Sequence, residues 1–250
     1  METQHTHHVP KDRTKFSVKD ISSAIIIAGV LIAGAILLKG SNSTPEGQIK
    51  IDPISREELF LGEKNAKISV ILYEDFQCPF CAAVTGLQEN SQAIDYLKQR
   101  DASWSPFVLG LKNDFVNTRK VKLAYRNYPF LGAESNQAYE ASLCAKEQGK
   151  FFEYHDYLFA NHKGENNGDF SDANLKSFAG ILGLNQVDFD SCLDSDKYSN
   201  AVEETKKKAE EAGVKGTPKG FILKNGKLVD TIDGALPYSM VKTKIENALK

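Results

Sequence analysis

The sequence predicts an α/β domain whose strands are interrupted by a long helical segment and which is preceded by a single membrane-spanning helix. Three patterns carry this. Residues Ile68 to Tyr73 are apolar at consecutive positions apart from Ser69, as in a central strand covered on both faces. Near the C-terminus, Phe221-Ile222-Leu223 and Leu228-Val229 flank Lys224-Asn225-Gly226-Lys227, and Asn-Gly is the strongest two-residue hairpin signal. Residues Ile21 to Leu38 form an 18-residue run whose only polar members are Ser22 and Ser23.

In chain order, residues 1–20 read as a polar tail. Its cluster His5, His7 and His8 precedes the anchor and is assigned no metal role. The run at 21–38 would extend about 27 Å as a helix at about 1.5 Å per residue, enough to span a bilayer. A cleaved signal peptide would end in a small-x-small site. The only Ala-x-Ala triplet near it, Ala33-Gly34-Ala35, lies inside the run, so the anchor is expected to be retained. Within 15 residues of the run there are four basic residues on the N-terminal side (Lys11, Arg13, Lys15, Lys19) against Lys39 and Lys50 on the other. That bias predicts a cytoplasmic N-terminus and an extracytoplasmic domain.

Residues 39–57, with Gly40, Pro45, Gly47 and Pro53, read as a linker, and 58–250 as the folded domain. Val121 to Tyr125 is a second strand. The helical segment spans about 132–213, with apolar stripes at Ala138, Ala141 and Ala145, at Leu175, Phe178, Ala179 and Leu182 behind the cap Ser171, and at Tyr198, Val202, Thr205, Ala209 and Ala212. A last helix carries Tyr238, Val241, Ile245 and Leu249 on one face. Trp104, Phe107, Leu109, Leu111 and Phe115 mark a further stretch between Asp101 and Lys120, expected to pack down. At 41% hydrophobic, 26% charged and net charge −2, the chain suits one medium domain with appendages, and nothing in it is basic enough to suggest nucleic acid.

The chemistry is concentrated in Cys78-Pro79-Phe80-Cys81, directly after the first strand. Two thiols three residues apart at a helix start lie one turn from each other, close enough to form a disulfide. Cys78 is expected to face outward, among unpaired N–H groups that favour its thiolate, with Cys81 as the resolving thiol covered one turn in. Pro79 suits a first helical turn. A structural zinc site would need a second close ligand pair. Cys144 and Cys192 are 48 residues apart, and His155 and His162 are seven apart, so no metal is assigned.

Together, Leu61-Gly62, Asp75-Phe76-Gln77-Cys78-Pro79-Phe80-Cys81, Tyr125-Arg126-Asn127-Tyr128-Pro129, Leu143-Cys144-Ala145, Gly149 to Leu158 and Gly213-Val214-Lys215-Gly216-Thr217-Pro218 resemble the DsbA family of extracytoplasmic thiol:disulfide oxidoreductases. The resemblance runs from about Glu58 to Leu249. It implies a thioredoxin-like fold with an inserted α-helical domain, and a cis Pro218 facing the CxxC. With Pro218 come substrate-binding roles for Thr217, Pro218, Pro79 and Phe80, and a structural disulfide between Cys144 and Cys192. It further implies unfolded or reduced client proteins, no cofactor, and a membrane partner of the DsbB or vitamin-K-epoxide-reductase type that recycles the dithiol. A reductase or isomerase on the same fold, and a peptide-binding module without turnover, are the alternatives.

The chain departs from that family in three places. Six residues before the first cysteine, where the family often buries a carboxylate, stands Leu72. Glu74 and Asp75 are the nearest acids, on opposite faces of the strand, and neither is assigned the role. Lys219 and Gly220 follow Pro218 where a large residue is usual, and the Asp101 to Lys120 stretch lengthens one connection.

Overall fold

The computed structural model describes residues 51–55 and 58–250. The expected tail at 1–20, the anchor at 21–38 and most of the linker at 39–57 lie outside the described residues. Among the described residues, no helix is long and apolar enough to cross a membrane.

Strand β2 (Ile68–Glu74) is buried along its whole length. Alternate side chains serve two cores, as a strand's two-residue period dictates. Ile68, Val70 and Leu72 enter one with Trp104, Phe107, Val241 and Ile245, while Ile71 and Tyr73 enter the other with Ala209, Phe221 and Leu223. Its neighbours are β3 (Val121–Asn127), which is parallel, and β4 (Lys219–Lys224), which is antiparallel. With the short β1 (Leu61–Gly62) and with β5 (Lys227–Asp233), the sheet order is β1-β3-β2-β4-β5. The β4–β5 turn places Asn225 and Gly226 at φ 52 and 79, the left-handed pair that a tight hairpin requires.

Helix α1 (Pro79–Thr85) follows β2 and ends at Gly86 with φ 75, a left-handed cap natural to glycine. After α2 (Gln92–Arg100) comes α3 (Phe107–Leu111), which runs directly into a π-helical turn at Lys112–Val116. Trp104, Phe107, Leu111 and Phe115 are buried here while Leu109 is 47% exposed. The long connection therefore packs into the core and leaves one apolar residue outside.

Five helices lie between β3 and β4: α4 (Ala133–Glu147), α5 (Phe151–Asn161), α6 (Asp172–Ile181), α7 (Gln186–Asp194) and α8 (Ser199–Glu211). The first four enclose a core of Ala138, Ala141, Tyr154, Leu158, Phe159, Phe170 and Phe189, to which Phe76, Cys78 and Cys81 also belong. The active-site helix is thus part of the wall of the insertion. Ser171 stands at the cap of α6 but accepts no capping bond through its side chain. Helix α9 (Tyr238–Leu249) closes the chain against β4 and β5.

The Lys219-Gly220 departure has a packing cause. Gly220 pairs with Ile232 on β5, and a Cβ on Gly220 would lie 2.9 Å from the Ile232 Cβ. Ile232 fills the space that a larger residue would need. Gly220→Ala should therefore destabilise the domain by about 1–3 kcal/mol in urea unfolding, and an unchanged midpoint would contradict this packing.

Candidate active site

The site begins where β2 ends. Asp75, buried at the strand's exit, accepts hydrogen bonds through one carboxylate oxygen from the Gln77 N–H at 2.9 Å, and through the other from the N–H groups of Phe130 and Leu131 at 2.9 and 3.1 Å. Burial raises its pKa, and these donors only partly offset the rise. The Gln77 side-chain amide donates to Ser135 Oγ at 3.1 Å and to Asn166 Oδ1 at 3.3 Å, and the Gln77 carbonyl lies 2.7 Å from His162 Nε2. The peptide entering the CxxC is thereby held from the sheet, the loop after β3 and the insertion at once.

Cys78 caps α1 and Pro79 occupies its first turn. Both Cys78 and Cys81 are free thiols. Cys78 does not face outward: it is 5% exposed, against 1% for Cys81. The covering segment is Thr217-Pro218, whose peptide bond is cis, and Cys78 Sγ donates to the Thr217 carbonyl at 3.4 Å. The Thr217 hydroxyl is buried without a hydrogen-bond partner. Phe80 is half-buried, with its ring edge-on to Tyr96 at 5.9 Å.

The two thiols have opposite proton affinities. A hydrogen bond from the Cys81 thiol is the main influence lowering the Cys78 pKa, helped by Thr217 and by the N–H groups of Cys81 and Phe80, and opposed by burial. The first helical turn contributes as anticipated, but the neighbouring thiol contributes more. Burial pushes Cys81 well above an ordinary thiol, and the charges of Cys78 and Glu74 add to the rise.

Glu74 is the acid that sequence reasoning left unassigned. It is 2% exposed, and its Oε1 lies 2.6 Å from His155 Nε2 on α5. The other ring nitrogen, Nδ1, lies 2.8 Å from Asp156 Oδ1. With a carboxylate oxygen against each nitrogen, an imidazolium donating from both satisfies the two contacts. Burial alone would lower the His155 pKa, but Glu74 and Asp156 outweigh it and push it up to about 9. Burial raises Glu74, against the pull of His155. The two histidines weighed as metal ligands are therefore engaged inside the protein, one with Glu74 and the other with the Gln77 carbonyl. Their 81- and 85-residue separations from those partners left no local signal.

Away from the thiols, a cavity of about 460 Å³ is lined by Tyr73, Glu74, Tyr125, Arg126 and Asn127. The Tyr125 hydroxyl and the Asn127 side-chain amide are buried there without partners. Cys144 and Cys192 form a disulfide between α4 and α7, with S–S 1.99 Å and Cα–Cα 5.8 Å. Pro79, Phe80, Thr217 and Pro218 thus gather around the CxxC, whereas the disulfide lies within the insertion.

A thioredoxin family model matches residues 55–97 and 102–246. The chain belongs to the thioredoxin family. It is 24% identical over 230 residues to a probable disulfide bond formation protein D of Bacillus cereus, covering 90% of this chain and 93% of that protein. It is also 29% identical over 188 residues to a Na(+)/H(+) antiporter NhaA 1 of Salinispora arenicola, but it spans only 24% of that protein's length. Among solved structures it resembles oxidised BdbD from Bacillus subtilis, with TM-score 0.63 and 20% identity over 79% of this chain and 96% of that one. Chlamydia trachomatis DsbA gives 0.58 and 16%, covering 79% and 94%. These likenesses in structure establish the fold.

Three measurements test this site. In the reduced thioredoxin-fold protein, iodoacetamide at pH 7 should alkylate Cys78 well before Cys81, and Cys81→Ala should raise the apparent pKa of Cys78, because the Cys81 thiol is its largest stabiliser. Equal labelling of both thiols would contradict the assignment. Replacing Cys144 and Cys192 together by Ala should cost up to about 4 kcal/mol in unfolding, since the bond closes a long loop, with Cys78 alkylation unaltered. The raised His155 pKa stabilises the fold fully below its unfolded value of about 6.5. That contribution is lost as pH climbs through about 9, so His155→Gln should flatten the fall in melting temperature between pH 7 and 10.

Proposed function

We propose that this chain is a membrane-tethered, extracytoplasmic thiol:disulfide oxidoreductase of the DsbA-like kind that introduces disulfides into client proteins. The observation carrying the reading is the pair of thiols with opposed proton affinities beside Thr217-Pro218. An exchange catalyst needs one sulfur that leaves and attacks readily and a second that stays protonated until called on.

In the oxidised enzyme, a client thiolate attacks Cys78 Sγ, the Cys78–Cys81 bond breaks, and the Cys81 sulfur takes up a proton. The client's second thiolate then attacks the client sulfur of the mixed disulfide. Cys78 leaves as a thiolate, the client is oxidised, and the enzyme holds two electrons more. The stabilised Cys78 thiolate favours this direction over reduction or isomerisation, because a low-pKa thiol is the better leaving group. An extended client segment would pair with the Thr217 backbone and rest on Pro218, Pro79 and Phe80, as in strand-addition recognition.

The apolar run at 21–38 supports tethering to the cell membrane, with the N-terminus in the cytoplasm. The dithiol product must return its electrons to an oxidant. A quinone-linked membrane protein of the DsbB or vitamin-K-epoxide-reductase type fits that need.

With scrambled, disulfide-bonded ribonuclease as client, Cys81→Ala should accumulate mixed disulfides as its Cys78 thiolate attacks a client disulfide, and Cys78→Ala should trap none; with reduced ribonuclease and glutathione disulfide as oxidant, Cys78→Ala should fall to the uncatalysed rate. Trapping through Cys81 alone would overturn the assignment. Fractionation of the expressed protein should place it in the membrane with its N-terminal residues intact. A soluble species beginning after residue 33 would exclude the tether.

A further inference from the structure

We infer that the cavity at the end of β3 is a binding site for a neutral, flat aromatic molecule that presents a carbonyl and an N–H on one edge, as a lactam or an aromatic carboxamide does. The inference stands apart from the oxidoreductase reading, because none of Cys78, Cys81, Thr217 and Pro218 lines this space.

The cavity exists because one strand is short. β1 pairs with β3 only at Lys122 and Leu123, so among the described residues Tyr125 to Asn127 have no strand neighbour on that side. Pro53, Ser55 and Glu58 line the gap instead. Arg126 ties Glu58 in place, its Nε and Nη2 donating to the carboxylate at 2.8 and 2.9 Å. Helices α4 and α8 close the space with Tyr139 and Thr205. The resulting volume of about 460 Å³ is typical of a small-molecule site.

Its floor distinguishes it from a packing gap. Asn127 is 6% exposed and Tyr125 8%. Among the described residues the Asn127 side chain has no partner at its oxygen or its nitrogen, and the Tyr125 hydroxyl has none. Polar atoms orphaned at such depth are costly, and folded chains seldom leave them so. Asn127 is held firmly all the same. Thr205 Oγ1 donates to its carbonyl at 2.6 Å, and the N–H of the next residue, Tyr128, donates to the Glu74 carbonyl at 2.7 Å. The backbone is pinned and the side-chain amide is left for something else.

That floor selects its ligand. An amide with both ends free offers a donor and an acceptor side by side, so its complement carries an acceptor and a donor on one edge. A lactam or a primary carboxamide has such an edge, whereas a hydrocarbon, an ether or a carboxylate does not. The Tyr125 hydroxyl supplies a third polar contact. Rings of Tyr73, Phe76, Tyr139 and Phe151 line the walls, which suits a flat aromatic body. Charge argues for a neutral one. Acidic side chains outnumber basic ones around the cavity, so an anion gains nothing. Glu74, Glu58 and Glu204 already face His155, Arg126 and Lys208 at 2.6, 2.8 and 2.7 Å, which leaves a cation little to pair with.

The test titrates the full-length protein with 2-quinolinone, followed by saturation-transfer NMR. The lactam should bind saturably, at one molecule per chain. N-methyl-2-quinolinone keeps the rings and the carbonyl but lacks the N–H, and should bind on the order of tenfold more weakly. Asn127→Leu should weaken the lactam by about the same factor and leave the two probes alike. Because the fold makes no use of the amide, this variant should melt at or above the wild-type temperature. Tyr125→Phe removes a single oxygen and should weaken the lactam several-fold at an unchanged melting temperature. It decides the matter if Asn127→Leu does not fold. No saturable binding to the wild type, or equal affinity of the wild type for both probes, would overturn the site. So would undiminished lactam binding in both variants, the mark of adventitious binding elsewhere. A melting temperature lowered by about 2 °C or more in both variants would show that the amide and the hydroxyl serve the fold, and would overturn it equally.

Discussion

Everything at the site depends on how the chain leaves β2, and one carboxylate governs that exit. Asp75 accepts three backbone N–H groups, one from Gln77 two residues on and two from Phe130 and Leu131 more than fifty residues away. Each bond to a charged acceptor contributes about 1.5–3 kcal/mol, which offsets much of the several kcal/mol that burying one carboxylate costs, although burial still leaves the Asp75 pKa raised. The result is a fixed connection between the ends of β2 and β3. Cys78 then starts α1 at one defined place, under Thr217-Pro218, and the asymmetry of the two thiols follows from that placement.

The helical insertion is more than a lid. It supplies His162 to the Gln77 carbonyl and His155 to Glu74, and its core includes both active-site cysteines. A lone carboxylate at the buried end of a central strand would be driven to its neutral form. The imidazolium between Glu74 and Asp156 pulls it back towards the charged form, against a burial that still leaves its pKa raised. The sheet domain and the insertion are thus joined through an ion pair that neither part could keep buried alone, and the disulfide between α4 and α7 braces the insertion that presents it.

The elements legible in the sequence were those with local signals. The apolar run of β2, the Asn225-Gly226 turn and the alanine and leucine stripes of the insertion each depend on neighbours within a few residues. The CxxC and Thr217-Pro218 came from motif and resemblance. What stayed hidden depends on distance in sequence. Nothing near Glu74 announces that its partner is His155, 81 residues on. The burial of Cys78 comes from a segment 139 residues away, and helix-start reasoning placed it in solvent. Leu72 marks a missing acid, yet a buried carboxylate, Glu74, stands two residues later on the same strand face and meets His155.

The central claim is that hydrogen bonds around Cys78 outweigh its burial, stabilising its thiolate and thereby the reduced pair. The equilibrium potential of Cys78–Cys81, from a titration against glutathione with the disulfide fraction read by alkylation and mass spectrometry, tests it most directly. A stabilised thiolate predicts an oxidising couple, well above the potential of about −270 mV at which thioredoxin acts as a reductant. A potential at or below that value would show that the reduced form gains nothing from the site, and the account of the two thiols would fail.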